Sequence, residues 1–394
     1  MKKLLAMLVT SAMALSLAAC GGSADTSAPA ESAAPASEAA EAAETAESGT
    51  AGEGLKICIV TSSGIDDGSF NQNCYDGITA FLENHPDCTV QDVKEPDLAK
   101  LIPTVDDLAG DYDVFVLPGF NFAACGDVVV ANPDKKFIVV DSTITDSENN
   151  PIEGDNYYTM TFAEQQSAFP VGVAAALSTK TGKVAVVNSM AYPSNVNYQY
   201  GFMAGVKYAV EKFGAKAECV ELPSYAGTDV MGNSVGGNYI GAFDDEATGK
   251  EVAKNLIDEG VDVMLVAAGA SGNGCYAAAK EAEDVFVIGC DVDQWADGAV
   301  GDRNVILTST LKIMDQNVEK QLNAIYDGTF EGQDAYLDAS NNGVGYVTTE
   351  GHHQMSEDTL AKVAEAFAAM QEGKVEVPAD ATVNDLTPDD FPMG

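Results

Sequence analysis

Short apolar runs alternate with amphipathic segments from residue 55 onward, and this alternation constrains the fold more than any other feature of the chain. The runs at 55–62 and 184–188 have the length and composition of buried strands. The segments at 69–84 and 198–213 carry apolar residues at three- and four-residue spacings, which predicts helices. Strands and helices that alternate in this way favour a parallel sheet covered by helices on both faces.

The alternation occurs twice along the chain, which predicts two lobes. We assign residues 55–163 to an N-terminal lobe and residues 164–312 to a C-terminal lobe. The chain then returns to the first lobe at about 313–330 and to the second lobe at about 331–394. The predicted fold class is therefore α/β, with two doubly wound parallel-sheet lobes joined by a multi-strand hinge. Loops at the strand ends of both lobes would face a cleft, and molecules of this kind close around a ligand.

The N-terminal region has the features of an exported protein. Residues 1–19 combine Lys2 and Lys3 with a mostly apolar run, as in a signal peptide. Cys20 follows Leu-Ala-Ala, which resembles the lipobox of bacterial lipoproteins and implies cleavage before Cys20 and a lipid on its thiol. Residues 20–54 are rich in Ala, Ser and Glu and contain no aromatic residue, so we predict a disordered acidic tether. These segments would hold the body at the cell membrane, on its extracytoplasmic face.

The charge and the cysteines exclude several classes of partner and site. The formal charge of −41 would repel nucleic acid or an anionic membrane surface. Of the eight cysteines, seven follow Cys20, which is an odd number, and none forms a CxxC pair. This argues against a disulfide framework and against a zinc site, and it favours buried free thiols. We expect no cofactor and no metal.

The candidate ligand-binding groups lie in loops that follow strands and at the beginnings of helices. They are carboxylates, an amide, aromatic rings, one glycine and one lysine, and they include no histidine. Such groups suit a small ligand, whereas an activated Ser or Cys nucleophile is lacking, so we predict that the protein is not an enzyme. The candidates are Asp66, Asp67, Phe70, Asn71, Phe120, Asp141, Phe243, Gly269, Asp291 and Lys312.

Six short motifs around these residues carry a resemblance to a known family. They are GIDDGSFNQ at 64–72, GF at 119–120, GAFDD at 241–245, AAGASGNG at 267–274, IGCDVDQ at 288–294 and STLK at 309–312. Together they look like the basic membrane protein family, whose members include the purine-nucleoside-binding lipoproteins of ABC importers. The resemblance implies a type I periplasmic-binding fold that holds adenosine, guanosine or inosine between its lobes. It also implies delivery of the nucleoside to an ABC permease, without any bond being broken.

The resemblance implies roles for four residues. Phe70 and Phe243 match the positions of two rings that sandwich the base, and stacking on an aromatic ring is worth about 1–3 kcal/mol per base. Asp291 and Lys312 match the positions that bind the ribose hydroxyls. A carboxylate accepts hydrogen bonds from vicinal hydroxyls and an ammonium group donates them, so this pair would distinguish ribose from deoxyribose.

The remaining candidates would complete the site around the base. Asp66, Asp67 and Asn71 are expected to bind the edge of the base, because carboxylates and an amide together offer acceptors and donors. Gly269 allows close approach of the backbone. Phe120 follows a predicted strand, Asp141 ends another, and both would face the cleft. A glycine-rich loop at 225–239 interrupts the second lobe just before Phe243.

Alternative roles for the same residues stay open. Asp67 or Ser69 is also suited to cap the helix that follows it. Phe70 also suits the core of its helix, Asp291 a cap of the following segment, and Lys312 a solvated surface.

Alternative functions stay open as well. The same fold suits a sugar or a pyrimidine nucleoside as ligand, and an extracellular nucleoside hydrolase or an adhesin is a further possibility. The glycines at 272–277 superficially fit a dinucleotide fingerprint, and the histidines at 352–353 suit a metal. The first of these two motifs lies in the middle of the second lobe, and the second lies in a polar turn, so neither is preferred.

Overall fold

The computed structural model describes residues 54–377 and 379, and these contain sixteen strands and nine α-helices. The predicted signal peptide over 1–19, Cys20 and the predicted tether up to residue 53 lie outside the described residues. The strands are β1 Lys56–Thr61, β2 Thr89–Lys94, β3 Val114–Pro118, β4 Lys136–Val140, β5 Tyr157–Phe162, β6 Lys183–Asn188, β7 Glu218–Cys219, β8 Gly227–Thr228, β9 Ser234–Gly236, β10 Val263–Ala267, β11 Phe286–Gly289, β12 Ala299–Val300, β13 Arg303–Asn304, β14 Ile306–Lys312, β15 Gln333–Leu337 and β16 Val344–Tyr346. The helices are α1 Phe70–Asn84, α2 Leu101–Leu108, α3 Gly126–Ala131, α4 Glu164–Ser178, α5 Pro193–Phe213, α6 Glu246–Asp258, α7 Gly272–Glu281, α8 Met314–Tyr326 and α9 Glu357–Gln371.

Two six-stranded sheets form the two lobes, which belong to one compact unit. The first sheet has the order β15-β5-β4-β3-β1-β2, and all its neighbouring strands are parallel. The second has the order β16-β14-β11-β10-β6-β7 and is parallel except for β16, which pairs antiparallel with β14. The predicted class of two parallel-sheet α/β lobes is confirmed. The central strands are buried along almost their whole length, as expected when helices cover both faces.

The chain crosses between the lobes three times. It passes from β5 to α4 at Ala163, from β14 to α8 at Ile313, and from β15 to β16. The predicted return to the second lobe at about 331 is wrong for one strand, because β15 pairs with β5 in the first sheet. The final crossing therefore follows Leu337, at the end of β15. Three crossings side by side form the hinge from which the two lobes project.

Helices α4 and α5 pack unusually closely in the second lobe. A side chain on Gly172 would collide with the carbonyl of Phe202, and one on Gly205 would collide with the carbonyl of Phe169. The glycines therefore let the two helix backbones approach, and both helices bury most of their surface. This contact fixes the beginning of α5, where several residues of the site lie.

The glycine-rich loop predicted at 225–239 forms the small hairpin β8–β9. Its tip carries two exposed apolar side chains, Val230 and Met231. The seven cysteines from Cys58 onward are free, and all except the half-buried Cys219 are buried, in agreement with the prediction. None of the helices in the described part of the chain is both long enough and apolar enough to span a bilayer.

Candidate functional site

A cavity lies between the lobes, at the carboxyl ends of the strands of both sheets. The empty space within it and at its mouth, including open solvent, amounts to about 640 Å³. Nine of the ten predicted site residues line it, namely Asp67, Phe70, Asn71, Phe120, Asp141, Phe243, Gly269, Asp291 and Lys312. The tenth, Asp66, does not. Its side chain is exposed and lies near Gly64 instead, because the turn directs the next residue, Asp67, inward.

Asp67 caps helix α1, which is the alternative left open by the sequence. Its carboxylate accepts hydrogen bonds from the backbone N–H groups of Ser69, Asn71 and Gln72, at 3.0, 3.0 and 3.1 Å. Burial raises the pKa of Asp67, whereas these three hydrogen bonds oppose the rise. A carboxylate that accepts from three backbone donors at the start of α1 has little capacity left for a ligand, although its side chain lines the cavity.

Asn71 is held by the turn that precedes it. Its Nδ2 donates to Ser63 Oγ at 2.9 Å and to Gly64 O at 3.0 Å. Both amide protons are therefore used within the protein, and Oδ1 is the atom that remains for a ligand. We expected donors as well as acceptors from this region, but Asn71 contributes an acceptor.

Aromatic rings from both lobes face the cavity. Phe70 comes from the beginning of α1 in the first lobe, where it also packs against the core, and Phe243 comes from the second lobe beside Gly269. Phe120, in the first lobe, contacts Tyr192 of the second lobe with ring centroids 5.3 Å apart. Tyr192 in turn contacts Phe243 at 5.8 Å. Aromatic groups thus line the cavity from opposite sides.

Lys312 lies at the end of β14 and is 2% exposed, so it is not a solvated surface lysine. Its Nζ donates to both carboxylate oxygens of Asp141, at 2.9 and 2.7 Å, and forms an ion pair with Glu164 at 3.2 Å. Asp291 Oδ1 lies 3.9 Å away. The ammonium group also lies over the ring of Phe70, 5.3 Å from its centroid. The lysine therefore joins residues of both lobes next to the hinge.

The charges of this cluster shift the pKa values of its members. Burial alone would lower the pKa of Lys312, but Asp141, Glu164 and Asp291 outweigh it and raise the pKa above its ordinary value, so the lysine is a cation. Burial raises the pKa of Asp141 to about 7 against the opposing charge of Lys312, and the neighbouring carboxylates act in the same direction as burial. One ammonium group thus faces three carboxyl groups in a poorly solvated site.

Asp291 is oriented by hydroxyl groups from both lobes. Tyr198 of helix α5 donates to its Oδ1 at 2.9 Å, and Ser69 of the first lobe donates to its Oδ2 at 3.2 Å. Its backbone φ of 69° lies in the left-handed region, as does the 64° of Asp141. Such backbone strain is concentrated at ligand sites, where the surrounding structure maintains it. Both carboxylates therefore have fixed directions.

Further contacts connect the lobes around the cavity. Gln294 Nε2 donates to the carbonyl of Gly68 at 3.3 Å, and the Tyr192 hydroxyl donates to Asn121 Oδ1 at 2.8 Å. Together with the bond from Ser69 to Asp291, these contacts hold the lobes against each other in the structure.

Sequence reasoning missed Glu164, Tyr192 and Tyr198. Glu164 lies two residues after strand β5 and is 2% exposed, so the rule of examining residues after strands would have found it. No comparable signal marks the two tyrosines. They reach the cavity because α5 begins at Pro193 rather than at residue 198 and lies against α4.

Two motifs from the sequence have structural explanations. A side chain on Gly274 would collide with the backbone of α6, so this glycine serves helix packing rather than a dinucleotide. His352 forms a hydrogen-bonded pair with Asp293 at 2.5 Å and stacks on Trp295. The described residues contain no group of three or more His, Cys, Asp or Glu side chains arranged to hold a metal ion.

Comparison with known proteins agrees with this geometry. A sequence model of the Bmp family, described as ABC transporter substrate-binding protein PnrA-like, matches residues 55–221 and 232–380. The gap between the two matched segments falls on the glycine-rich loop. The CD4+ T-cell-stimulating antigen of Listeria monocytogenes is 31% identical over 340 residues, which cover 81% of this chain and 87% of that protein. The ABC transporter nucleoside-binding protein BmpA of Lactococcus lactis subsp. cremoris is 29% identical, with coverage of 84% and 92%.

Solved structures show the same fold. A solute-binding protein of an ABC transporter system from Aeropyrum pernix K1 superposes with a TM-score of 0.70 at 24% identity, covering 84% of this chain and 96% of that one. A second solute-binding protein, from Conexibacter woesei, has a TM-score of 0.58 at 21% identity and covers 82% of this chain and 99% of its own. These likenesses support the predicted type I periplasmic-binding fold.

Proposed function

Because this chain belongs to the Bmp family of ABC transporter substrate-binding proteins, we propose that its ligand is a purine nucleoside such as adenosine, guanosine or inosine. The nucleoside is bound between the lobes and passed to the permease of an ABC importer. A lipid on Cys20 holds the protein at the extracytoplasmic face of the cell membrane. A relative of similar length that is named a nucleoside-binding protein supports this choice of ligand.

The placement of Phe70 and Phe243 is the observation that carries the proposal. The two rings belong to different lobes and line the same cavity. A flat base between them is stacked on both faces when the lobes close, and such stacking accepts different purines. Phe70 is also in contact with the core, so its ring has a fixed position before the ligand arrives.

The polar groups at the hinge suit the sugar of a nucleoside. Asp291 accepts from vicinal hydroxyls, and Lys312 donates to a hydroxyl oxygen while it remains paired with Asp141. Loss of one ribose hydroxyl leaves a buried polar group without its partner, which disfavours the deoxynucleoside. The protein binds and releases the nucleoside without changing it chemically.

Isothermal titration calorimetry with a panel of ligands tests the proposal. We expect adenosine, guanosine or inosine to bind, and 2′-deoxyadenosine, uridine and ribose to bind more weakly. Phe70→Ala and Asp291→Ala should each weaken nucleoside binding at least about tenfold, which is about 1.4 kcal/mol. Phe330→Ala is a matched control, because Phe330 is a half-buried ring in contact with the core of the first lobe and does not line the cavity. If Phe70→Ala and Asp291→Ala both bind the nucleoside as tightly as the wild type, the assignment of these two residues to the site is wrong.

Chromatography of the ligand after incubation separates binding from hydrolysis. Inosine incubated with the protein should be recovered intact. The appearance of hypoxanthine and ribose in proportion to the protein would instead identify a nucleoside hydrolase. If the protein binds ribose or uridine more tightly than every purine nucleoside, its ligand is not a purine nucleoside.

A further inference from the structure

We propose that Tyr192 and Asn121 form a clasp that closes the cavity beside Phe243, slows release of the ligand and limits the size of the base. The Tyr192–Asn121 clasp is a hydrogen bond of 2.8 Å between the tyrosine hydroxyl and Asn121 Oδ1. The two residues belong to different lobes. The proposal rests on the proposed function, because the group whose size is limited is the base held between Phe70 and Phe243.

Tyr192 is held at three points. Its ring contacts Phe120 of the first lobe with centroids 5.3 Å apart and planes inclined by 45°. On its other side it contacts Phe243, at 5.8 Å and 40°. The hydroxyl group is fixed by Asn121. A row of three rings therefore extends across the boundary between the lobes, with the tyrosine at its centre.

The local backbone explains why these groups meet. Phe120 and Asn121 lie in a short 3-10 turn that follows Gly119, whose φ of 111° turns the chain toward the second lobe. Tyr192 immediately precedes Pro193, the first residue of α5, and proline at that position fixes the direction of the residue before it. Both halves of the clasp are thus supported by rigid elements of their own lobes.

The clasp has a direct consequence for release of the ligand. Burial raises the pKa of the Tyr192 hydroxyl above its ordinary value, so the group is a neutral donor. The bond to Asn121 exists only while the lobes are together, and it must break when they separate. The bonds from Ser69 to Asp291 and from Gln294 to Gly68 also connect the lobes, so loss of the clasp weakens closure without abolishing it.

The clasp also has a consequence for selectivity. The Tyr192 ring lines the cavity and adjoins Phe243, one of the two rings assigned to the base. A base with a bulky substituent on that side displaces the ring, and the displacement breaks the hydrogen bond to Asn121. Tyr192 is therefore a specificity-determining residue. Asn121 also lines the cavity, and its part in the clasp is to position Tyr192.

Stopped-flow binding of adenosine tests the effect on release. We expect Tyr192→Phe and Asn121→Ala each to accelerate dissociation about three- to tenfold, with association changed less than twofold. The double variant should dissociate no faster than the faster single variant, because both remove the same bond. Tyr225→Phe is the control, since its hydroxyl bonds to Glu251 within the second lobe, away from the cavity. Unchanged dissociation, or additive effects in the double variant, would overturn the clasp.

A bulky ligand tests the effect on selectivity. We expect the wild type to bind N6-benzyladenosine at least tenfold more weakly than adenosine, and Tyr192→Ala to reduce this ratio at least tenfold. The ratio compares two ligands on the same folded protein, so a loss of stability does not change it. An unchanged ratio would remove the role of Tyr192 in selectivity.

A measurement without ligand separates this proposal from the proposed function. If adenosine, guanosine and inosine all fail to bind the wild type, the nucleoside proposal is wrong, but the clasp remains testable. Single-molecule energy transfer between one dye on each lobe should then show a larger open fraction in Tyr192→Phe than in the wild type or Tyr225→Phe. Identical distributions would overturn the clasp independently of the ligand.

Discussion

Lys312 has a buried ammonium group that three carboxyl groups surround. Asp141 holds it through both oxygens, Glu164 lies at 3.2 Å, and Asp291 lies at 3.9 Å. Removing such charges from water costs several kcal/mol per ion, so the cluster persists only because its members compensate one another. Burial raises the pKa of Asp141 despite the adjacent cation, and the two excess negative charges that the cluster would carry when fully ionised act in the same direction.

The raised pKa of Asp141 predicts an unusual dependence of stability on pH. The pKa is about 7 in the folded state and near 3.8 in the unfolded chain, so at pH 5 the folded state holds a proton that the unfolded state has released. This group therefore stabilises the folded state below pH 4, and the contribution falls as pH rises from about 4 to 7, by at most about 1.4 kcal/mol per pH unit. Asp141→Asn should remove this slope.

Urea denaturation at pH 5, 6 and 7 measures the effect. The free energy of unfolding of the wild type, minus that of Asp141→Asn, should decrease as pH rises. Asp284→Asn is the control, because Asp284 is exposed and Lys180 holds its pKa below the ordinary value, so it is ionised in both states above pH 5. A difference that stays flat or increases with pH would mean that Asp141 is ionised throughout this range.

The types and order of the residues predicted which of them line the cavity. They predicted less well which contacts each of these residues makes. Asp66 and Asp67 are neighbours of the same type, yet one is exposed and the other caps α1 with three hydrogen bonds. The difference depends on the path of the turn, which the sequence does not specify. Glu164 joins the cluster because the hinge brings it to Lys312, a contact between residues far apart in the chain.

At the scale of secondary structure, the contact between α4 and α5 depends on glycine. Gly205 faces the carbonyl of Phe169 so closely that a methyl group has no room. Gly205→Ala must therefore separate the helices, and we expect the free energy of unfolding to fall by about 1–3 kcal/mol, as for other overpacked cores. Urea denaturation measures the change.

Gly110 provides the matched control for this substitution. It is exposed, and no atom lies within 4 Å of the position that a methyl group would take. Gly110→Ala should change the free energy of unfolding by less than about 0.5 kcal/mol. Equal destabilisation by the two substitutions would show that the close helix contact is not what requires Gly205.

Periodicity predicted the interiors of the elements and failed at their ends. The helix predicted at 198–213 begins instead at Pro193, although proline in the first turn is a recognised start signal. The half-exposed strand β15 was missed because its residues show no continuous apolar run. Its place is set by pairing with β5, a contact between residues 175 positions apart that local patterns do not contain.

At the scale of the whole molecule, the alternation of strands and helices predicts the two lobes. It does not predict how the lobes contact each other across the cleft. The alternation predicts that loops of both lobes face one another. Which atoms meet across the cleft depends on how far the hinge bends, and contacts such as that of Gln294 with Gly68 have no counterpart in the sequence pattern. The sequence therefore predicts most of the residues that line the cavity, and the structure shows the contacts that connect the lobes around it.

The charge of the molecule and of its cavity predicts rejection of phosphorylated ligands. The chain carries a formal charge of −41. Among the described residues that line the cavity or pair with Lys312, the carboxyl groups of Asp67, Asp141, Glu164 and Asp291 outnumber the one ammonium group, that of Lys312. A 5′-monophosphate adds about −1.5 to −2 charge, which in a weakly solvated site is repelled by several kcal/mol. Under the proposed function, adenosine 5′-monophosphate should bind at least about 100-fold more weakly than adenosine, about 2.7 kcal/mol.

Calorimetry with 5′-O-acetyladenosine distinguishes charge from size in this prediction. The acetyl group adds bulk at the same position without charge, so this ester should bind at least tenfold more tightly than the monophosphate. Because the adenosine ligand is neutral, its affinity should be nearly independent of ionic strength, whereas screening should partly relieve repulsion of the monophosphate. Equal weakening by the ester and the monophosphate would instead assign the rejection to the shape of the cavity, and the excess of carboxyl groups would then serve only to hold Lys312.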